Sequence, residues 1–235
     1  MGRLDPVLLM PRSVVRSRSL NGVDQLFHLT NTITTIGTQD FWFDCFAYLS
    51  SSSEACTLFS SRASDNGVAV LWFRATGIVK VYLNAVTYDG MTLSTISNNA
   101  WHYFYFGFDR SANLSVYVDS HDTSDYTVDI SSQAAANVGG ARNPHIMAGN
   151  STGYYLGKLA RFGFGIGNLL TDDERLERIN GGRGALYKQL SSGLQAKFAH
   201  CWDLEKGGEP RDKVGDNHLI QVGATPIKTS PPPRQ

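Results

Sequence analysis

Residues 41–49 read FWFDCFAYL. In an extended chain, side chains alternate between the two faces. Phe41, Phe43, Cys45, Ala47 and Leu49 therefore share one face, and Trp42, Asp44, Phe46 and Tyr48 share the other. Both faces are largely apolar, which predicts a central strand in a sheet that is covered, or used, on both sides. Residues 101–108 repeat the pattern, with His102, Phe104, Phe106 and Phe108 on one face and Trp101, Tyr103 and Tyr105 on the other. Shorter runs at 68–74, 79–84, 114–119, 145–148, 159–164 and 198–204 also read as strands, separated by Asn, Asp, Gly and Ser turns. Two alternating runs, 12–20 and 23–29, flank Asn21-Gly22 and predict a hairpin near the start.

A helix signal interrupts the strands. Thr171 with Glu174 three residues later is a capping box, Leu176 and Ile179 supply a short apolar stripe, and Gly181-Gly182 a stop. The expectation is an all-β sandwich of two antiparallel sheets with one short helix near 172–180. The 23 glycines and the 11% aromatic content suit short strands and tight turns, while SPPPRQ at 230–235 cannot join a sheet. The domain reading is a basic arm at 1–12, one domain at 13–225 that includes an added strand segment at 196–222, and a Pro-rich tail at 226–235.

The 21 basic residues balance the 21 acidic ones, so no global charge drives the chain toward nucleic acid or anionic lipid. No run approaches the roughly 20 apolar residues of a membrane span, nor the roughly 7–15 of a signal-peptide core, which predicts synthesis in a cytoplasm. Cys45, Cys56 and Cys201 are an odd number without a CxxC, which favours reduced, buried thiols over a Cys45–Cys56 bridge.

Asp40 to Phe46 resembles the early strand of laminin-G-like domains, which belong to the concanavalin A-like jelly rolls. Trp101-His102-Tyr103 leading to Phe108-Asp109, then Leu114 to Asp119, resembles that family's most recognisable hairpin. Ala148-Gly149, Gly157 to Phe162 and Leu169 to Glu174 resemble its later strands and helix start. The likeness covers roughly residues 13–182, departing at Ala160 and Ser120, where the family carries Asp and Gly. The stretches 199–205 and 212–219 resemble a segment attached to phage and environmental bacterial versions of the domain. The resemblance implies a concanavalin A-like fold that hosts lectins, glycosidases, adhesion modules and virion proteins alike.

Candidate chemistry is sparse. Gly149-Asn150-Ser151-Thr152-Gly153 fits GxSxG, but a nucleophile elbow needs a helix after it, and the following residues read as strand. The glycosidase relatives carry carboxylates at i, i+2 and i+4; here Asp125 and Asp129 would lie roughly 13 Å apart on one strand, with Thr127 between them. No enzyme activity is expected. Asp119, Asp122 and Asp125 crowd one turn, and many laminin-G-like domains bind calcium, so this turn is the candidate metal site; no other cofactor is expected. Arg3, Arg12, Arg16 and Arg18 make the start basic, as a blunted edge strand or a docking arm.

The outward aromatics Trp42, Phe46, Tyr48, Trp101, Tyr103 and Tyr105 form the candidate partner or glycan face, the alternative being a side covered by this chain's own C-terminal part. The functional expectation is a non-catalytic structural or adhesive component of a bacteriophage virion, such as a capsid decoration or tail-associated protein. Its partners would be other virion proteins, copies of itself and host-surface glycan, with no nucleic acid and no membrane insertion. The alternative is a lectin-like carbohydrate-binding module of a bacterial surface or polysaccharide-processing system, located outside the cell.

Overall fold

Strand pairing divides the chain into two antiparallel sheets. The computed structural model describes residues 18–21, 26–31, 36–49, 55–62, 65–73, 78–92, 96–97, 99–139, 145–148, 156–182, 184–204 and 211–222. Within them the strands are β1 (Arg18–Asn21), β2 (Leu26–Leu29), β3 (Phe41–Leu49), β4 (Ala55–Ser60), β5 (Val68–Phe73), β6 (Ile78–Leu83), β7 (Val86–Thr92), β8 (Ala100–Phe108), β9 (Asn113–Val118), β10 (Tyr126–Asp129), β11 (His145–Ala148), β12 (Leu156–Ile166), β13 (His200–Asp203) and β14 (Leu219–Val222). Two short helices, α1 (Asp172–Ile179) and α2 (Ser192–Gln195), lie between β12 and β13.

The first sheet runs β1-β12-β3-β8-β9-β10, with β13 also pairing to β12; the second runs β14-β2-β11-β4-β5-β6-β7. This is the jelly-roll sandwich the strand pattern predicts. The two doubly apolar strands, β3 and β8, lie side by side in the middle of the first sheet, Phe43 opposite Phe106 and Phe46 opposite Tyr103. Their inward residues Phe41, Phe43, Cys45, Phe104, Phe106 and Phe108 meet Phe59, Val70, Val81 and Ile146 of the second sheet in one buried cluster. Among the described residues, no helix is long and apolar enough to cross a membrane.

The predicted hairpin at 12–29 does not form: β1 pairs with β12 in the first sheet, whereas β2 pairs with β11 and β14 in the second. The chain therefore passes from one sheet to the other between Asn21 and Leu26, each run pairing with a strand far along the chain. The predicted docking arginines Arg3, Arg12 and Arg16 lie outside the described residues, as does the tail at 226–235; Arg18 opens β1, its backbone opposite Leu159.

The C-terminal segment closes one flank. β13 continues the first sheet beside β12, β14 extends the second beside β2, and the Trp202 indole between them donates to the Asn217 carbonyl at 2.9 Å. Asp212 pins this turn: its carboxylate accepts from Cys201 N at 3.0 Å and Val214 N at 3.1 Å and pairs with His200 Nδ1 at 2.6 Å. Burial pushes the Asp212 carboxyl up, but the bonds from His200 and the two amides outweigh it and hold it below the usual range. Cys45 and Cys201 are buried and form no disulfide among the described residues, and burial raises Cys201 to about 12.

Candidate functional site

The outer face of the first sheet carries a second buried cluster made of Trp42, Phe46, Tyr103, Tyr105 and Ala160 below, and Leu170, Ile179, Ala185, Leu190, Leu194 and Phe198 above. The chain's own stretch from 169 to 198 lies on this face. Two glycines let it descend: a Cβ at Gly163 would come within 2.5 Å of Phe198 and 2.6 Å of Asp44, and one at Gly165 would meet the Trp42 ring and the Lys197 carbonyl.

The cover is fixed by arginines. Thr171 and Glu174 form the expected capping box, and Asn180 ends α1 in the left-handed region. The expected stripe is half wrong, however: Ile179 is buried but Leu176 is 43% exposed, and Arg175 and Arg178 face the sheet instead. Helical spacing puts 175, 178 and 179 on one side, and that side meets a carboxylate and phenol rings. Arg178 Nε donates to Asp44 Oδ2 at 2.7 Å and Nη2 to Oδ1 at 3.2 Å, both side chains fully buried, while Nη1 donates to the Ala185 carbonyl. Burial disfavours the guanidinium, but Asp44 outweighs it and the net shift is upward. Burial, then Asp44, pushes the neighbouring Tyr103 phenol well above its usual value. Arg175 lies 4.0 Å over the Tyr117 ring and donates to the carbonyls of Leu170 and His121.

Four of the six predicted face residues are therefore unavailable: Trp42 and Phe46 are fully buried, and Tyr103 and Tyr105 are 1% exposed. Tyr48 and Trp101 remain. They stand directly opposite each other on β3 and β8 at the margin of the cover, half-buried, with ring centroids 5.8 Å apart and planes at 66°. Lys158 lies opposite Tyr48 on β12, its ammonium 5.1 Å from the Tyr48 ring centre. Three adjacent strands thus present an aromatic corner with a cation beside it.

The predicted acid clusters dissolve into turn chemistry. Asp119, at φ +53°, accepts from Tyr103 N at 2.8 Å and meets His102 Nδ1 at 2.7 Å. Asp122 accepts from the hydroxyls of Ser120 and Thr123, and Asp125 accepts from Val118 N at 2.8 Å. Each carboxylate is held by a different donor, and among the described residues no three His, Cys, Asp or Glu side chains come together to hold a metal ion. Asp125 precedes β10 and Asp129 accepts from Ser131 N, so the two acids cap separate turns. Ser151 lies outside the described residues.

Two constellations escaped the sequence reading. Ser97, His102 and Asp119 stand in triad order, Ser97 Oγ 3.4 Å from His102 Nε2. Yet Nε2 lies 2.9 Å from the carbonyl of Ser97 itself, an obligate acceptor, so this nitrogen carries the proton and has no lone pair for a serine hydroxyl. The group is a clamp that ties the start of β8 to the end of β9. Its signal was the hairpin register, which sets 102 near 119. The other is Asp44–Arg178, whose signal was a lone carboxylate on a face otherwise Trp, Phe and Tyr, which demands a buried cation.

No family model matches the chain, and no curated protein sequence matches it. Solved structures do. A protein from Bacteroides ovatus described as a candidate carbohydrate-binding protein superposes with a TM-score of 0.62 at 12% identity, over 88% of this chain and 58% of its own. A heptameric SAP-like pentraxin from Limulus polyphemus gives 0.50 at 12% identity, over 71% of this chain and 83% of its own. The chain thus spans a little over half the length of the first of these. At such identities the likeness establishes the fold: a concanavalin A-like jelly roll, shared with lectin-like domains.

Proposed function

We propose that this protein is a non-catalytic carbohydrate-binding module. The observation that carries the reading is the Tyr48–Trp101 corner beside Lys158, left accessible at the rim of a face that the chain otherwise seals with its own residues. Aromatic rings offer an apolar surface to the C–H face of a sugar, and a neighbouring ammonium donates to its hydroxyls. The fold accommodates the reading, and display at a cell or particle surface, where polysaccharide is met, goes with it.

The virion reading drew on the stretches 199–205 and 212–219 together with the basic arm at 1–12 and the Pro-rich tail at 226–235, and the two ends lie outside the described residues. The two stretches are occupied in the fold: Trp202, Leu204 and Leu219 are in the core and Asn217 anchors the flank.

The test is a glycan array with the full chain and its Trp101→Ala variant. The expected outcome is binding that is lost in a variant that still folds, its melting temperature lowered by a few degrees because the half-buried ring packs against the cover cluster, and no turnover of any bound glycan. Equal binding by both proteins would refute the site. Hydrolysis that vanishes in Ser97→Ala would refute the non-catalytic assignment.

A further inference from the structure

Charged side chains on the outer side of the first sheet are mostly held in pairs. Arg178 meets Asp44 at 2.7 Å, Arg175 meets Asp172 at 2.5 Å and Lys197 meets Glu174 at 2.6 Å. Glu177 accepts from the Ser191 hydroxyl at 2.9 Å, and Asp203 on β13 lies 3.6 Å from Arg161 and accepts from Tyr187 N at 3.1 Å. Lys158 differs. Among the described residues no carboxylate stands within ion-pair distance of its ammonium, which lies 5.1 Å from the centre of the Tyr48 ring.

A ring contact does not use up an ammonium: the ring meets one side of the charge, and N–H donors remain for an acceptor. The lysine is half-buried, and a partly desolvated cation gains most from an acceptor that is itself charged. Lys158 stands opposite Tyr48 and Tyr48 opposite Trp101, so the three form one row across β12, β3 and β8. Two strand spacings, about 10 Å, separate the ends of that row. A sugar ring lying on Trp101 with a charged substituent directed along the row bridges this gap, because the lysine stem is four carbons long and flexible. Stacking falls to Trp101, since the Tyr48 ring already carries the ammonium. A point charge without the planar fork of an arginine does not choose between carboxylate and sulfate by shape.

We infer that the corner takes an acidic sugar, a ring bearing a carboxylate or a sulfate ester, stacked on Trp101 with its anionic group on the Lys158 ammonium. This rests on the reading of the corner as a glycan site and adds the class of glycan. A neutral sugar leaves the ammonium to water, whereas an acidic one forms a charge-assisted hydrogen bond there.

Calorimetric titration of the full chain with matched probes tests the inference: tetragalacturonate against its methyl ester, sialyllactose against lactose, and neocarratetraose sulfate against its desulfated form. At low salt at least one acidic member should bind about threefold to fivefold tighter than its neutral counterpart, the upper range of an exposed ion pair. Raising NaCl from about 20 mM to about 500 mM should close most of that gap by screening. Lys158→Gln should bind both members of the pair alike, Lys158→Arg should keep the preference, and Trp101→Ala should lose both; circular dichroism melts establish that each variant is folded. Which pair shows the gap tells carboxylate from sulfate. A neutral member that binds as well as its acidic counterpart in every pair, a preference that survives in folded Lys158→Gln, or no binding of any acidic probe would each overturn the inference. Neutral binding without acidic preference that vanishes in Trp101→Ala leaves the corner a glycan site and removes only the acidic class. Acidic binding that persists in folded Trp101→Ala removes the corner and the inference together.

Discussion

The two sheets share one core but treat their outer faces in opposite ways. Along β8 every residue from His102 to Phe108 is buried, whereas along β6 burial alternates, with Val79, Val81 and Leu83 buried and Ile78, Lys80 and Tyr82 half-buried. The first sheet is a middle layer, sandwiched between the second sheet and the 169–198 cover; the second sheet is an outer wall. Tyr103 and Tyr105 on the first sheet are therefore core residues, whereas Tyr82 on the second is half-buried. Jelly rolls differ in function partly by which face they leave open, and here the chain itself has closed one of them.

Breaking the cover should show the largest effect. Arg178→Met leaves Asp44 buried without its partner, which should cost about 3–5 kcal/mol in denaturant unfolding, while the double variant Asp44→Leu with Arg178→Met should recover most of that loss. A single and a double variant of equal stability would mean that the pair is not what holds the cover.

Matched tyrosine deletions sharpen the comparison. Tyr105→Ala removes a buried ring and the hydroxyl that accepts from Leu170 N at 3.0 Å, and should cost about 3–5 kcal/mol. Tyr82→Ala, on the second sheet where the half-buried ring lies 4.7 Å beneath the Arg62 guanidinium, should cost no more than about 1 kcal/mol, the scale of an exposed cation–π contact. Thermal melts of the two proteins side by side decide whether the faces differ as described.

At Gly165 an added methyl would press on Trp42 and the Lys197 backbone, so Gly165→Ala should cost about 1–3 kcal/mol by overpacking. Leu176→Gln, on the same cover but facing water, should change stability by no more than about 0.5 kcal/mol.

The flank closed by the C-terminal segment should be acid-sensitive. The folded-state carboxyl of Asp212 lies below its unfolded value, so its contribution is fully present above the unfolded value near pH 3.9 and is lost as pH falls through the lowered folded one. Denaturant midpoints measured between about pH 6 and pH 2 should therefore fall less steeply with acid in Asp212→Asn, which starts from a lower stability. Parallel curves would place the acid sensitivity elsewhere.

Much of this was legible in the residues. Strand β3 has the bounds its alternation predicts, α1 starts at its capping box, and β3 and β8 were marked as needing cover on both sides because both faces of each are largely apolar. The same reasoning left open what the cover would be, and the candidate site was placed on the very face that the chain buries. Covering a sheet depends on whether residues 120 positions later fold back over it, and periodicity carries no information at that separation.

The sequence by itself therefore determined the central strands, the start of α1, the class of fold and which strands must be buried twice, since these follow from local alternation and capping. Tertiary structure decided which outer face stays open, that two arginines and not Leu176 secure the cover, and that the acids at 119–129 serve as turn caps. These outcomes rest on pairings between residues far apart in the chain, such as Asp44 with Arg178, where the cost of burying one charge is met only by the arrival of the other.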